Sequence, residues 1–247
     1  MTATTTGYRR RIRLVGSDGR VIGELEDDFH HFRVTIEHDG RCVTAITGEG
    51  VRFPWTTCPL AAEALQPIIG MRLSRRSTAV GDVTAARDNC THMFDLAGLA
   101  VAHAARGAVA RQYDIFVPDG VPPAGPATIA RDGEPRLAWD VDINEIHGPA
   151  PFTGVPLRAG FLAWAEANLD AETAEAAIAL RRALHIAHGR LKDLDGHETG
   201  AELLPMMSGS CYTFTPGRSE TAVRMKGSTR DFSARPDDLC QQDGAGS

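Results

Sequence analysis

The sequence has no hydrophobic run long enough to cross a membrane, and its N-terminus has no apolar signal region. We therefore expect no membrane association and a cytoplasmic location. Its 5 cysteines are an odd number without close pairing, which suits a reducing compartment. The formal net charge of −6 argues against nucleic acid as a partner.

Several common functional motifs are also missing. The sequence contains no GxxxxGK[ST] loop, no GxGxxG after a strand, no HExxH and no GxSxG. Phosphate-binding, dinucleotide-binding, zinc-protease and hydrolase classes that depend on these motifs lose support, and we expect no nucleotide cofactor. The hydrophobic fraction of 43% over 247 residues can nevertheless form a sizeable core.

The richest stretch is 56–106, where two predicted helices each begin at a cysteine. Pro59 follows Cys58, and proline is favoured at the first helical position, so a helix is expected from there to Gly70. A second helix should start near Asp88–Thr91, which contains Cys90. Its apolar residues recur at spacings of three and four: Met93, Leu96, Ala97, Ala100, Val101 and Ala104.

The two cysteines have a functional and a structural interpretation. Helix N-termini favour thiolates, so Cys58 and Cys90 should be acidified and could face one point, with His92 beside them. That arrangement predicts a site for a metal or for thiol chemistry. In the alternative, both cysteines act as small buried hydrophobes.

Alternating segments predict an antiparallel meander before these helices. The paired segments are Arg9–Val15 with Arg20–Glu26, and His31–His38 with Arg41–Thr47. Between the two hairpins lies a turn that is dense in metal-binding and proton-transferring groups, including Asp28, His30 and His31. Either this turn is simply solvated, or it lies near the helix N-termini and belongs to the site.

The second half predicts one more hairpin and two helices. Arg111–Val117 is a further strand, and the segment 118–126 is rich in proline and glycine and is taken as a boundary. The hairpin pairs Ala127–Ala130 with Arg136–Val141, and the helices are Ala159–Asn168 and Ala171–Lys192. The fold class is therefore α+β, with a first part at 1–117 and a hairpin and helical part at 118–247.

A basic segment, Met206–Asp231, stands out in this acidic chain. It carries Arg218, Arg224 and Lys226, and Cys211 lies nearby. Guanidinium groups bind carboxylates in a bidentate manner, so the segment is interpreted as a lid or anion clamp. A final edge segment with exposed charges is the alternative.

Two family resemblances emerge from these strings. RFPWTTCP, CTHMFDLAGLA, EAAIALRRA and the later CYTF and KGS strings resemble an uncharacterised bacterial family, domain of unknown function 2889, over nearly the whole chain. That family brings no agreed activity.

The stretch 27–106 more distantly resembles the NifU-like iron–sulfur scaffold family, which implies a NifU-like core. In this resemblance Cys58 matches the helix-start cysteine and Cys90 the last cysteine, but Asn89 stands where the family has histidine. Asp28 and His30 fall where the strand-end cysteine and its aspartate would be. The resemblance thus implies a metal set of Asp28, His30, Cys58 and Cys90, which suits a single Zn²⁺ or Fe ion.

The leading hypothesis is an enzyme, a lyase, isomerase or hydrolase, acting on an anionic small molecule such as an aromatic carboxylic acid. The site is either metal-bound or thiol-based, and the assigned catalytic residues are His30, His31, Cys58, Cys90 and His92. The assigned substrate-binding residues are Arg218, Arg224, Lys226 and Cys211. The alternatives are an iron–sulfur or metal carrier, and a non-catalytic binding module whose helices form a homo-oligomer.

Overall fold

The computed structural model describes residues 6–241 and has an α+β fold. Its antiparallel sheet has eight strands in the order β4-β3-β2-β1-β5-β6-β7-β8. The strands are β1 (Gly7–Ser17), β2 (Arg20–Asp27), β3 (His31–His38), β4 (Val43–Arg52), β5 (Ala110–Pro118), β6 (Ala127–Arg131), β7 (Glu134–Val141) and β8 (Ile146–Gly148). The α-helices in the described residues are α1 (Thr91–Arg106), α2 (Phe161–Asn168), α3 (Ala171–Ala187) and α4 (Leu204–Met207).

The chain forms two compact units, and each is discontinuous in sequence. Within the described residues, unit 1 comprises 6–11, 112–192 and 231–241, and unit 2 comprises Ile12–Arg111 and Asp193–Arg230. The sequence predicted one domain boundary, between residues 117 and 118, which would separate two parts that are each continuous in sequence. No helix in the described part of the chain is both long and apolar enough to cross a membrane.

The predicted meander is confirmed in unit 2. Strand β2 pairs with β3 so that Leu25 lies opposite Phe32, and β3 pairs with β4 so that Ile36 lies opposite Ile46. The turn after β3 forms because the Asp39 carboxylate accepts the backbone N–H groups of the two residues that follow Gly40. Strict alternation buries one face of β3, as the pattern of its apolar residues predicts.

Helix α1 covers this buried face, in contact with β2 and β3. Cys90 is its N-cap residue, and Gly107, at φ 65°, closes its C-terminus. The helix approaches its neighbours closely: a Cβ added at Gly98 would lie 2.0 Å from the Ser77 carbonyl oxygen. The first cysteine-headed helix, Cys58–Ile68, also forms, but as a 3₁₀-helix with Pro59 at its start and Pro67 inside it.

Unit 1 contains the predicted third hairpin, β6 and β7, and the predicted helices α2 and α3. Trp139, Phe152, Phe161 and Trp164 form an aromatic cluster in its core. Asp170 caps α3 by accepting the N–H groups of the second and third helical residues. Helix α3 ends at Ala187 and continues as a 3₁₀-helix, His188–Leu191, where one helix to Lys192 was predicted.

Candidate functional site

The carboxylate of Asp27 organises the turn between β2 and β3. Its Oδ1 accepts the backbone N–H groups of Phe29 and His30, each at 2.8 Å, and lies 3.0 Å from His30 Nδ1. The side chain is fully buried. When Nδ1–H donates to this carboxylate, the neutral His30 ring carries its lone pair on Nε2. The turn therefore fixes the position of the His30 ring.

His92 reaches the same place from the first turn of α1. Its ring stacks on that of His30, with centroids 3.8 Å apart and ring planes 29° apart. Its Nε2 lies 3.9 Å from Asp27 Oδ2. Phe32 stacks against both imidazoles, with centroids 5.9 and 5.8 Å away. A strand-end aspartate, a turn histidine and a helix-start histidine thus meet against an apolar wall.

These three side chains form a potential metal-binding set. One ligand atom from each of Asp27, His30 and His92 lies within 4.8 Å of the other two, and within residues 6–241 no other group of three or more His, Cys, Asp and Glu side chains is this close. Two nitrogen or oxygen ligands about 2.1 Å from one ion are about 3.0 to 3.4 Å apart. Closing the set around an ion would therefore need the most distant ligand atoms to approach each other by up to about 1.8 Å.

Arg52 holds the turn in place from strand β4. One terminal nitrogen donates to the carbonyl oxygens of Asp28 (3.1 Å) and Ser228 (2.8 Å). The other donates to the Asp27 carbonyl oxygen (2.5 Å) and to Glu26 Oε1 (3.1 Å). The guanidinium therefore satisfies backbone acceptors beside the buried carboxylates and offsets part of their charge.

His31 belongs to a different group of charges. Its Nε2 lies 2.8 Å from Glu24 Oε1, which also accepts from Arg33 Nε (3.0 Å) and Nη2 (2.9 Å). Burial raises the pKa of Glu24, but the hydrogen bonds to His31 and Arg33 outweigh it and hold that pKa below its ordinary value. The structure thus pairs His31 with Glu24, and its Nδ1 lies 3.6 Å from Glu26 Oε1; His31 is not a member of the close set of Asp27, His30 and His92.

The predicted acidification of the two cysteines is wrong. Burial, reinforced by the nearby Cys211, raises the pKa of Cys58 to about 12, although Thr213 and Arg224 act in the opposite direction. Burial also raises the pKa of Cys90, with further contributions from Cys58 and Cys211. The stabilising effect of a helix start on a thiolate does not compensate for almost complete removal from water.

The three cysteines are nevertheless neighbours, because the chain after Met207 returns to both helix starts. The Thr213 hydroxyl lies 3.7 Å from Cys58 Sγ and 2.9 Å from the Thr57 hydroxyl. The backbone N–H of Tyr212 donates to the Asn89 carbonyl oxygen, next to Cys90, at 2.9 Å. Protonated thiols in this setting are poor nucleophiles.

The predicted metal set of Asp28, His30, Cys58 and Cys90 is not brought to ligand spacing. Of its four members, only His30 belongs to the close set described above. Asp28 is fully buried, and its carbonyl oxygen accepts from Arg52 and from the backbone N–H of Arg230 (2.7 Å). Asp27, which lies in the turn singled out from the sequence but was not assigned as a ligand, supplies the carboxylate.

The predicted anion-binding cations have separate placements. Arg224 is buried over Trp55, donates to the Pro54 carbonyl oxygen (2.8 Å) and pairs with Asp195 (2.8 Å). Lys226 pairs with Glu198, and Arg218 lies on the ring of Tyr212 with its guanidinium carbon 3.8 Å from the centroid. A clamp formed by these residues and Cys211 stays a prediction.

Residues 16–106 match a family model described as "Protein of unknown function (DUF2889)". This match confirms the resemblance to that family over a segment that includes the Asp27 turn and helix α1. The likeness to the NifU-like scaffold is not confirmed. No curated protein matches the chain.

Proposed function

We propose that this chain is a metal-dependent enzyme acting on a small anionic molecule, with Asp27, His30 and His92 as the metal ligands. The observation that carries the proposal is the meeting of one carboxylate and two imidazoles from two separate elements. Two histidines and one carboxylate are typical of catalytic Zn²⁺ sites and of Fe²⁺ sites with open coordination positions. The expectation of zinc or iron is therefore kept, with a different ligand set.

The surroundings suit a catalytic rather than a closed structural site. Three protein ligands leave coordination positions for water and substrate, and a bound ion would activate that water or polarise a carbonyl group. Asp27 Oδ1 is held by the turn, so Oδ2, on the side of His92, is the oxygen that can bind an ion. Phe29 and Phe32, both buried, restrict access of bulk water.

The expected substrate is still an anion such as a carboxylic acid, and the reaction a lyase, isomerase or hydrolase step. Arg230 supports an anionic substrate because it is exposed and its backbone is bonded to the Asp28 carbonyl oxygen at the turn. A cation beside the ion would draw in a carboxylate and neutralise its charge.

The first experiment measures metal binding directly. Titration of the metal-free protein with Co²⁺ should give visible absorption bands that saturate at one equivalent. His30→Ala, His92→Ala and Asp27→Asn should each weaken binding at least about tenfold, since each removes a ligand or its charge. His38→Ala, at the other end of β3, is the matched control and should bind Co²⁺ as the parent does. Failure to saturate, or equal binding by all variants, would refute the metal site.

A metal-free role is the second candidate, because the contact of 3.0 Å between Asp27 and His30 is that of a carboxylate orienting a general base. In that case His30 Nε2 is the reactive atom. Diethyl pyrocarbonate should modify His30 more slowly in Asp27→Asn than in the parent, because the orienting charge is lost, while His38 reacts at the same rate in both. Unchanged modification of His30 would contradict this role.

A further inference from the structure

Unit 1 contains a cleft outside the segment that matches the family model. It is a shallow, open cleft between the end of β5, the loop after it and the C-terminal turns of α3, and the space over it, open solvent included, is about 480 Å³. Its apolar lining includes Val117, Leu157, Leu184 and Leu191. A concave, mainly apolar site with a few polar groups is typical of small-molecule binding.

The rim of the cleft exposes apolar side chains to solvent. Leu191 is 58% exposed and Ile143 is 43% exposed, and both line the cleft. Apolar surface gathered around an opening is covered favourably by a hydrocarbon group. The occupant should therefore have an apolar body.

Two histidines, His185 and His188, also line the cleft. Burial, followed by the nearby charges of Arg181, Arg182 and Arg158, lowers the pKa of His185 to about 4. Burial also lowers the pKa of His188, with Lys192 and Arg158 acting in the same direction. Both imidazoles are thus neutral at pH 7 and lie in a positive environment, where an N–H group can donate to an anion.

Two carboxylates also line the cleft, but both are already engaged. Asp119 accepts from Arg190 Nε at 2.7 Å and from Nη2 at 3.2 Å. Asp142 accepts the backbone N–H groups of Asn144 (2.6 Å) and Glu145 (2.9 Å), and His147 Nε2 lies 3.2 Å away. The charge of Asp119 is therefore compensated by Arg190, and Asp142 is bonded to backbone N–H groups, whereas Arg158 and Lys192 are exposed cations.

We propose that this cleft is a second binding site, for a small amphipathic carboxylate whose head group lies at His185 and His188 and whose hydrocarbon body lies on the leucines. The positive environment selects the head group, and the open apolar rim selects the body. The site is independent of the metal ligands in unit 2, and binding here should be the same in the His30→Ala variant.

Three probes of equal chain length test the chemistry. Hexanoate, 1-hexanol and hexylamine are titrated into the ¹⁵N- and methyl-labelled protein at pH 7. Hexanoate should give saturable shifts of the His185 and His188 ring signals and of the Leu184 and Leu191 methyl signals, at least about fivefold tighter than the other two probes. Equal or tighter binding of hexylamine or hexanol, or shifts confined to other residues, would overturn the proposal.

Charge variants then test the head-group position. Arg158→Gln and Lys192→Gln are exposed changes that should leave the fold intact and weaken hexanoate binding about two- to fivefold each. Arg136→Gln removes an exposed cation from strand β7 of the same unit and serves as the control. Hexanoate affinity unchanged in the Arg158→Gln/Lys192→Gln double variant, or lowered equally by Arg136→Gln, would show that these cations do not select the ligand.

Discussion

The Asp27 turn and the cysteine region of unit 2 are both buried, but they differ in how burial is compensated. At the turn, backbone N–H groups and Arg52 surround the carboxylates with donors. At the cysteines, the neighbours are a threonine hydroxyl and other thiols, and the pKa of Cys58 rises to about 12. A buried polar group is stabilised where donors replace water, so the turn offers its carboxylates hydrogen-bond partners that the cysteine thiols do not have.

The largest expected effect concerns the reactivity of Cys58. A pKa of about 12 in place of the ordinary 9.0 lowers the thiolate fraction at pH 8 by about 1000-fold. Alkylation by iodoacetamide, followed by peptide mass spectrometry, should therefore be slower by about that factor in the folded protein than in urea. If Cys58 reacts as fast in the folded protein as in urea, the thiolate hypothesis is restored and the contrast between the two regions is removed.

The turn should lose stability when its organising carboxylate is removed. Asp27→Ala leaves two buried backbone N–H groups and the His30 ring without their acceptor, which should cost about 2–4 kcal/mol in the free energy of unfolding. Urea denaturation measures this cost. Asp39→Ala is the matched control, because its Oδ1 also accepts two backbone N–H groups in a turn, but in water. An equal loss in both variants would mean that burial of Asp27 adds nothing.

The sequence was sufficient to predict the elements that carry the site. The hairpins, helix α1 and the Asp170 cap follow from alternation, helical spacing and turn chemistry, and they are confirmed. His30 and His92 were among the predicted catalytic residues, and the structure places them in contact. These are local signals, each decided within one turn or one strand pair.

The choice of carboxylate was missed by one position, although a signal existed. Val21, Leu25 and Asp27 lie on the same face of β2 because side chains alternate along a strand, and Gly23 on that face lies against Leu96 of α1. Continuing the buried face of β2 by two residues therefore leads to Asp27 rather than Asp28. A slip of one residue places a side chain on the opposite face of a sheet.

The thiol pKa values could not be predicted from helix starts alone. They depend on how completely Cys58 and Cys90 are removed from water, and the distant segment 211–214 packs beside them. The helix-start effect is local and visible in sequence, whereas burial by a segment more than a hundred residues away is not. Burial of the thiols, the stronger of the two effects, therefore could not be recognised from the sequence.

The cysteine region should also limit stability at alkaline pH. A thiol whose pKa is raised on folding stabilises the folded state fully below its unfolded pKa, near 9.0, and this stability is lost as the pH rises above that value. The expected slope is up to about 1.4 kcal/mol per pH unit for each buried thiol. Urea denaturation at pH 8 and 10.5 should show that the free energy of unfolding falls less between these pH values in Cys58→Ala than in the parent. An identical fall in both proteins would contradict this prediction.

The smallest effect should come from Glu24, which is paired with His31 and Arg33 beside the turn. Its pKa is lowered on folding, so its contribution is present above the unfolded value, near 4.5, and is lost as the pH falls through the folded value. Glu24→Gln should therefore flatten the decline in the free energy of unfolding below pH 4.5. Because 15% of the Glu24 side chain is still exposed and its partner Arg33 is near the surface, solvent screening keeps the change small. Glu49→Gln, which removes an exposed carboxylate 3.8 Å from the same Arg33, is the control. In this variant the free energy of unfolding should decline below pH 4.5 as it does in the parent. If the free energy of unfolding declines equally in the two variants at acid pH, the charges around His31 behave as ordinary surface charges. Stabilisation of a buried carboxylate by hydrogen-bond donors is then confined to Asp27 and its turn.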